Sequence, residues 1–216
     1  MASEEIIQVI DAQKKFGNNT VLDKVSITCK KGGIYGIAGH NGSGKTVLFK
    51  CICGFLHLDQ GEIRINGKCL KKDFDMIDNA GIIIEEPAFL RGWSGIKNLE
   101  FLYMIRNPKN RKHLNNMMEK VGLDPDSKKR VGQYSMGMRQ RLAIAQAIME
   151  NQEILILDEP MNGLDKNGVA DMRKLFLELR GEGKTILMAS HNKEDIDILC
   201  DEVYEMDMGV MLKLYK

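Results

Sequence analysis

Three short stretches gather residue types that can do chemistry together. Residues 39–46 read GHNGSGKT and fit G-x-x-x-x-G-K-[ST] in full, from Gly39, His40, Asn41, Gly42, Ser43 and Gly44 to Lys45 and Thr46. Glycines at that spacing let the backbone wrap around phosphate oxygens, and the N–H groups opening a following helix supply aligned donors. Lys45 would reach the terminal phosphates of a nucleotide and Thr46 would hold a magnesium ion. In the second stretch, ILILDEP, an apolar run ends at Asp158 and Glu159. An aspartate at such a strand tip, facing the cradle, is the expected outer partner of the magnesium shell. Glu159 beside it is placed to polarise an attacking water, which predicts hydrolysis rather than transfer to another substrate. The third stretch, GIIIEEPAF, stops an apolar run at Glu85 and Glu86, with Pro87 next. Those two acids either close a strand or stand beside something that needs negative charge.

Each motif needs an element to aim it. Short β-branched runs at Ile6–Ile10, Val25–Cys29 and Ile34–Ala38 read as strands, the last leading into the glycine-rich segment. A helical pattern follows from Lys45 to about Gly54, then strands at Glu62–Ile65 and Gly81–Ile84. From Ile96 to Val121 the pattern is helical with a polar break, and MRQRLAIAQAIM is helical again. The remainder alternates strand (Ile154–Leu157), helix (Val169–Arg180), strand (Thr185–Ala189), helix (Lys193–Leu199) and strand (Val203–Met206). Strands alternating with helices predict an α/β fold with a mostly parallel sheet. The helix-rich middle, residues 88–150, reads as an insertion between core segments 1–87 and 151–216.

Composition narrows the classes. With 216 residues, 44% of them hydrophobic, the chain can bury a full core as one domain with a subdomain. The 31 basic and 30 acidic residues leave a net charge of +1, so nothing calls for nucleic acid or an anionic membrane as partner. Five cysteines form neither a disulfide framework nor a common zinc spacing, and read as reduced structural thiols of a cytosolic protein. The start, MASEEIIQV, is acidic where a signal peptide is basic, and no apolar run approaches the roughly 18 residues of a membrane span.

Between the two phosphate-site motifs lies Tyr134-Ser135-Met136-Gly137-Met138, followed by Arg139-Gln140-Arg141-Leu142. This resembles the LSGGQ signature, and the basic segment after it, of ATP-binding-cassette (ABC) ATPases. Asn162-Gly163-Leu164-Asp165 looks like that family's D-loop, Ser190-His191 like its switch histidine, and Phe16 like the aromatic that stacks on adenine. Six motifs stand in the family's order, and the resemblance runs from about Ile6 to Val210. Met136 and Met138 depart from the pattern, standing where the signature has a glycine and a glutamine.

The resemblance implies a P-loop NTPase (RecA-like) core, an N-terminal antiparallel β portion and an inserted helical subdomain. It implies nucleotide contacts from Phe16 and from Gly39 through Val47. Two cassettes would sandwich two ATP molecules, so that Ser135 and Gly137 of each reach the partner's γ-phosphate and Asp165 bridges the subunits. His191 would contact the γ-phosphate and position the attacking water. Glu85 occupies the position of a glutamine that touches magnesium in most such cassettes, and a carboxylate suits a hard cation. The implied cofactors are ATP and Mg2+. The implied partners are a second cassette, identical or not, and separate transmembrane permease subunits, holding the protein at the inner face of the cell membrane. Phe89 and Trp93 fall in the stretch facing the permease, either as exposed anchors or packed inside. GIIIEEPAF, YSMGM and EPMNGLD together look like the subgroup serving bacitracin-type and lantibiotic-type peptide export and self-protection. A non-transport ABC ATPase, regulatory or translation-associated, is the alternative, and a P-loop phosphotransferase a further one.

Overall fold

A computed structural model describes residues 4–86 and 88–214; Pro87 and the chain ends lie outside the described residues. The chain forms two sheets around a helix. Strands β1 (Glu5–Phe16), β2 (Asn19–Lys30), β4 (Gln60–Ile65) and β5 (Lys68–Cys69) make an antiparallel sheet in the order β2-β1-β4-β5. The second sheet, in the order β10-β9-β3-β8-β7-β6, is built from β3 (Ile34–Ala38), β6 (Ala80–Ile83), β7 (Ile154–Asp158), β8 (Thr185–Ser190), β9 (Glu202–Asp207) and β10 (Val210–Leu214). Its strands are parallel except β10, which pairs antiparallel at the edge.

Strands β3, β7 and β8 are apolar along their middles because helices or a second sheet cover both of their faces. Helix α1 (Lys45–Ile52) fills the space between the sheets with buried Leu48, Phe49 and Ile52. On the opposite face of the parallel sheet lie α2 (Gly95–Tyr103), α3 (Arg111–Lys120), α4 (Met136–Ile148), α5 (Lys166–Gly181) and α6 (Lys193–Leu199). Helix α4 comes so close to β6 that a Cβ on Gly81 would sit 1.9 Å from the Ala147 carbonyl oxygen.

The elements lie where the sequence pattern puts them, with differences of cause. The helical run from Ile96 to Val121 is split at its polar break into α2 and α3. There Pro108 removes a donor, and the Asn110 side chain accepts from the His113 N–H to start the second helix. Strands β1 and β2 run far beyond their apolar cores. They pair through residues such as Lys14 and Lys15, whose side chains give no apolar alternation, and bulges near Asp11 shift the register. Strand β10 escaped prediction: Val210, Leu212 and Leu214 are exposed, and only pairing to β9 orders them. All five cysteines are free. Burial pushes the thiols of Cys51 and Cys53 up, to about 11 and about 12.

Candidate nucleotide site

Parallel register brings the chemistry together. Ala38 pairs with Ser190 and Asp158 with Ala189, so the loops leaving β3, β7 and β8 start level at one end of the sheet. The first loop is residues 39–44. A Cβ at Gly39 would lie 2.3 Å from the Met206 carbonyl oxygen, and one at Gly44 (φ +113°) 2.8 Å from that of Val21. Glycine is therefore required for the loop to nest against β9 and β2. The β9–β10 turn supports it from behind. There Gly209 N–H donates to the Ser43 carbonyl oxygen (3.0 Å), and the His40 ring lies 2.8 Å from an Asp207 oxygen. That carboxylate and the Asn41 carbonyl raise the His40 pKa.

Lys45 is buried, and its ammonium donates to the carbonyl oxygens of Gly39 (2.6 Å) and His40 (3.0 Å). Thr46 Oγ1 donates to Asp158 Oδ2 at 2.5 Å. Burial raises the Asp158 pKa, as do the neighbouring charges of Glu159 and Glu85, against the Thr46 hydrogen bond. Glu159 has a left-handed backbone (φ +49°) pinned by its N–H donating to Ala189 O. Its Oε2 lies 2.8 Å from His191 Nδ1, while Oε1, buried and without a hydrogen-bond partner, sits 4.0 Å from Lys45 Nζ. Ser43 Oγ in the cradle is also buried and unpartnered. These orphaned polar atoms flank a loop whose N–H groups and lysine suit an anion.

Oxygen donors suit magnesium. Among the described residues no group of three or more His, Cys, Asp or Glu forms a metal cage. That fits an ion held by one or two protein oxygens, waters and substrate phosphates. Thr46 is bonded to Asp158, and bordering the same cleft as Asp158 and Glu159 is Glu85. Its carboxylate, also following a left-handed backbone (φ +61°), is taken by Lys50 Nζ at 2.6 Å. Glu86 is exposed beside it.

The remaining expected contacts lie apart. Ser135 caps α4, its Oγ accepting from the Met138 N–H, and no hydrogen bond among the described residues ties it to its own cradle. Gly137 lies in the first turn of α4. A Cβ on Gly137 would stand 3.0 Å from the Gly163 carbonyl oxygen, so the helix start rests on the D-loop. Met136, half-exposed, covers Gly163 from the same side. Asp165 caps α5 by accepting from Gly168 N–H. Phe16 ends β1 with its ring half-exposed and the Lys14 ammonium 5.4 Å from its centre. Phe89 packs on the core, whereas Trp93 is exposed and meets Phe101 edge-on at 5.7 Å.

Sequence reading missed Gln140. Its amide donates to the carbonyl oxygens of Pro160 (2.8 Å) and, more weakly, Glu159 (3.4 Å), stitching α4 to the backbone around Glu159. The signal available was its place in the basic segment after the signature.

A phosphate-binding loop between β3 and α1, with two acids at the tip of β7, defines a P-loop nucleotide-hydrolysing protein. Residues 22–162 match the family described as ABC transporter. The chain is 41% identical over 204 residues to the ABC transporter ATP-binding protein YybJ of Bacillus subtilis (strain 168), covering 94% of each. It is 35% identical to the bacitracin transport ATP-binding protein BcrA of Enterococcus faecalis, over 99% of this chain and 70% of that one. It is 32% identical to the lantibiotic transport ATP-binding protein SrtF of Streptococcus pyogenes, over 91% and 84%. The dimeric structure of the bacterial cassette MJ0796 superposes with a TM-score of 0.87, over 98% of this chain and 100% of that one. At 22% identity it speaks for the fold alone. The chain belongs to the ABC transporter family and is an ATPase cassette of it. No helix among the described residues is long and apolar enough to cross a membrane.

Proposed function

We propose that this chain powers a transporter by closing as a dimer, with itself or a second cassette, around two Mg-ATP. Separate transmembrane permease subunits would hold it at the inner face of the membrane, and the cargo would be a peptide antibiotic, exported or defended against. The convergence of Lys45, Thr46, Asp158, Glu159 and His191 at three neighbouring strand ends carries the reading. The cargo class rests on the relatives named for bacitracin and lantibiotic transport. Exposed Leu90, Trp93, Phe101 and Met104 offer the permease an apolar surface.

Within each site Phe16 would stack on the base, and the loop from Gly39 to Val47 would hold the phosphates by backbone N–H groups. Bound magnesium would neutralise phosphate charge, with Thr46, Asp158 and, from the loop after β6, Glu85 as its protein oxygens. Lys45 would swing from the carbonyls of Gly39 and His40 to the terminal phosphates. Glu159, already oriented by His191, would accept hydrogen bonds from the attacking water, and its unpartnered Oε1 is free to do so. Ser135 and Gly137 open a 13-residue helix whose N-terminal dipole suits the partner's γ-phosphate. Asp165, at the start of α5, would meet the other subunit. Residues 88–150 would form the helical subdomain carrying the signature.

Glu159→Gln tests this. Loss of a positioned base should slow hydrolysis roughly 100-fold or more, and ATP should then trap a dimer on size-exclusion chromatography. Hydrolysis at the wild-type rate would remove Glu159 from the mechanism; slow hydrolysis with a monomer throughout would remove the sandwich.

A further inference from the structure

Glu85 follows β6, and Ile83 pairs with Leu157, so Glu85 stands level with Glu159 at the tip of the adjacent strand. Both residues carry left-handed backbones. Glu85 nevertheless turns its carboxylate toward α1 and the Lys50 ammonium, 2.6 Å away. Lys50 lies four residues after Thr46 on that helix, and residues at this spacing share one helix face, about 5–6 Å apart. Thr46 is itself bonded to Asp158. Glu85 thus borders the same cleft as Asp158 and Glu159 while its carboxylate is held by a lysine one helical turn beyond Thr46. The Lys50 side chain is 28% exposed and that of Glu85 64%, so the glutamate is the more loosely held partner. Only a carboxylate at position 85 can form this ion pair; a glutamine would be neutral.

We propose that Lys50 is a positioning residue that parks Glu85 one turn away from the metal position, so that magnesium must displace an ammonium to recruit the loop after β6. The inference deepens the reading that Glu85 serves the metal and rests on it. In the parked state the carboxylate is neutralised by Lys50. In the metal-bound state it moves toward Thr46 and Asp158 and leaves Lys50 to solvent.

The test titrates Mg2+ against the full chain in the presence of a fluorescent, non-hydrolysable ATP analogue and reads the Mg2+ midpoint for tight binding. Lys50→Met should lower that midpoint about two- to five-fold, the worth of an exposed ion pair. Lys50→Arg should leave it near the wild-type value. Glu85→Gln should raise it, and adding Lys50→Met to Glu85→Gln should change nothing further. A midpoint unmoved by Glu85→Gln sinks the Glu85–metal reading and the proposal with it. A midpoint raised by Glu85→Gln but not lowered by Lys50→Met keeps that reading and overturns the parking role alone. Lys50→Met acting equally in the Glu85→Gln background overturns it too, since Lys50 would then act without Glu85. Analogue binding in chelator, without metal, should be the same for all four variants; a difference there would assign Lys50 to phosphate binding instead.

Discussion

Replacing Gln140 by methionine isolates what α4 does for Glu159, the proposed catalytic carboxylate. Methionine keeps the length and volume of the side chain and removes the amide, so packing survives while two hydrogen bonds are lost. The bond to Pro160 O is short, 2.8 Å, and that to Glu159 O is long, 3.4 Å. Leaving a part-buried carbonyl without its donor costs about 1–3 kcal/mol. For a chain of this size that is a fall in Tm of roughly 2–12 °C. The kinetic effect should exceed the structural one. Glu159 adopts φ +49°, a strained setting for a residue with a side chain, and the carbonyl Gln140 holds directly follows it. Releasing that carbonyl lets the backbone relax, and a displacement of about 1 Å at a reacting group costs up to roughly 100-fold in rate.

The assay is steady-state phosphate release over a range of Mg-ATP, alongside calorimetric unfolding. Expected are a kcat lowered about 10- to 100-fold and a KM for ATP nearly unchanged, because Gln140 makes no hydrogen bond to the cradle among the described residues. A kcat close to wild type with the calculated loss of Tm would show that Gln140 only braces the fold. No change in either would mean that the two bonds contribute nothing, and the link from α4 to Glu159 would fall.

Two further outcomes follow from packing and charge. Gly81→Ala drives a Cβ into the Ala147 backbone, with no side chain to yield, and should cost at least about 1–3 kcal/mol by calorimetry; an unchanged Tm would mean that α4 is not seated on β6. The His40 pKa is raised above its ordinary 6.5 by the Asn41 carbonyl and Asp207, and is opposed by Lys45. The pair thus stabilises the fold fully below about pH 6.5 and less as pH rises through the raised value. The Tm gap between wild type and His40→Gln should be widest in acid and close toward alkaline pH; a gap independent of pH would show that the pair holds no charge.

The cradle, the two acids and the alternation of strands with helices were legible because each is written locally. A buried parallel strand needs an unbroken apolar run, and the residue ending it is the first that can be polar. Strands β3, β7 and β8 all announce their ends this way, at Gly39, Asp158 and His191. What stayed hidden depends on partners distant in the chain. Gln140 looks like any helix glutamine until α4 packs beside Pro160. Lys50 looks like a solvated helix lysine until Glu85, 35 residues later, reaches it. Ser135 illustrates a different limit. Its type fits both a helix cap and a partner's phosphate, and within one chain it does the first.

The glutamates after β6 show why position in the sheet matters more than residue type. Side chains on a parallel strand alternate faces, and a slip of one residue would exchange them. With Ile83 beside Leu157, Glu85 falls level with Glu159 and Glu86 one step beyond the last residue of that pair. Glu85, though exposed, stands close enough to Asp158 for its charge to help raise that residue's pKa. Three carboxylates crowded at two strand tips repel one another, and each needs a cation. Lys45 and Lys50 are both on α1, five residues apart, one under Glu159 and the other holding Glu85. Helix α1 is thus the cationic rail against which both acidic tips rest. A bound metal-nucleotide would bring a new cation and a new anion to that rail at once, and so compete with both of its ion pairs.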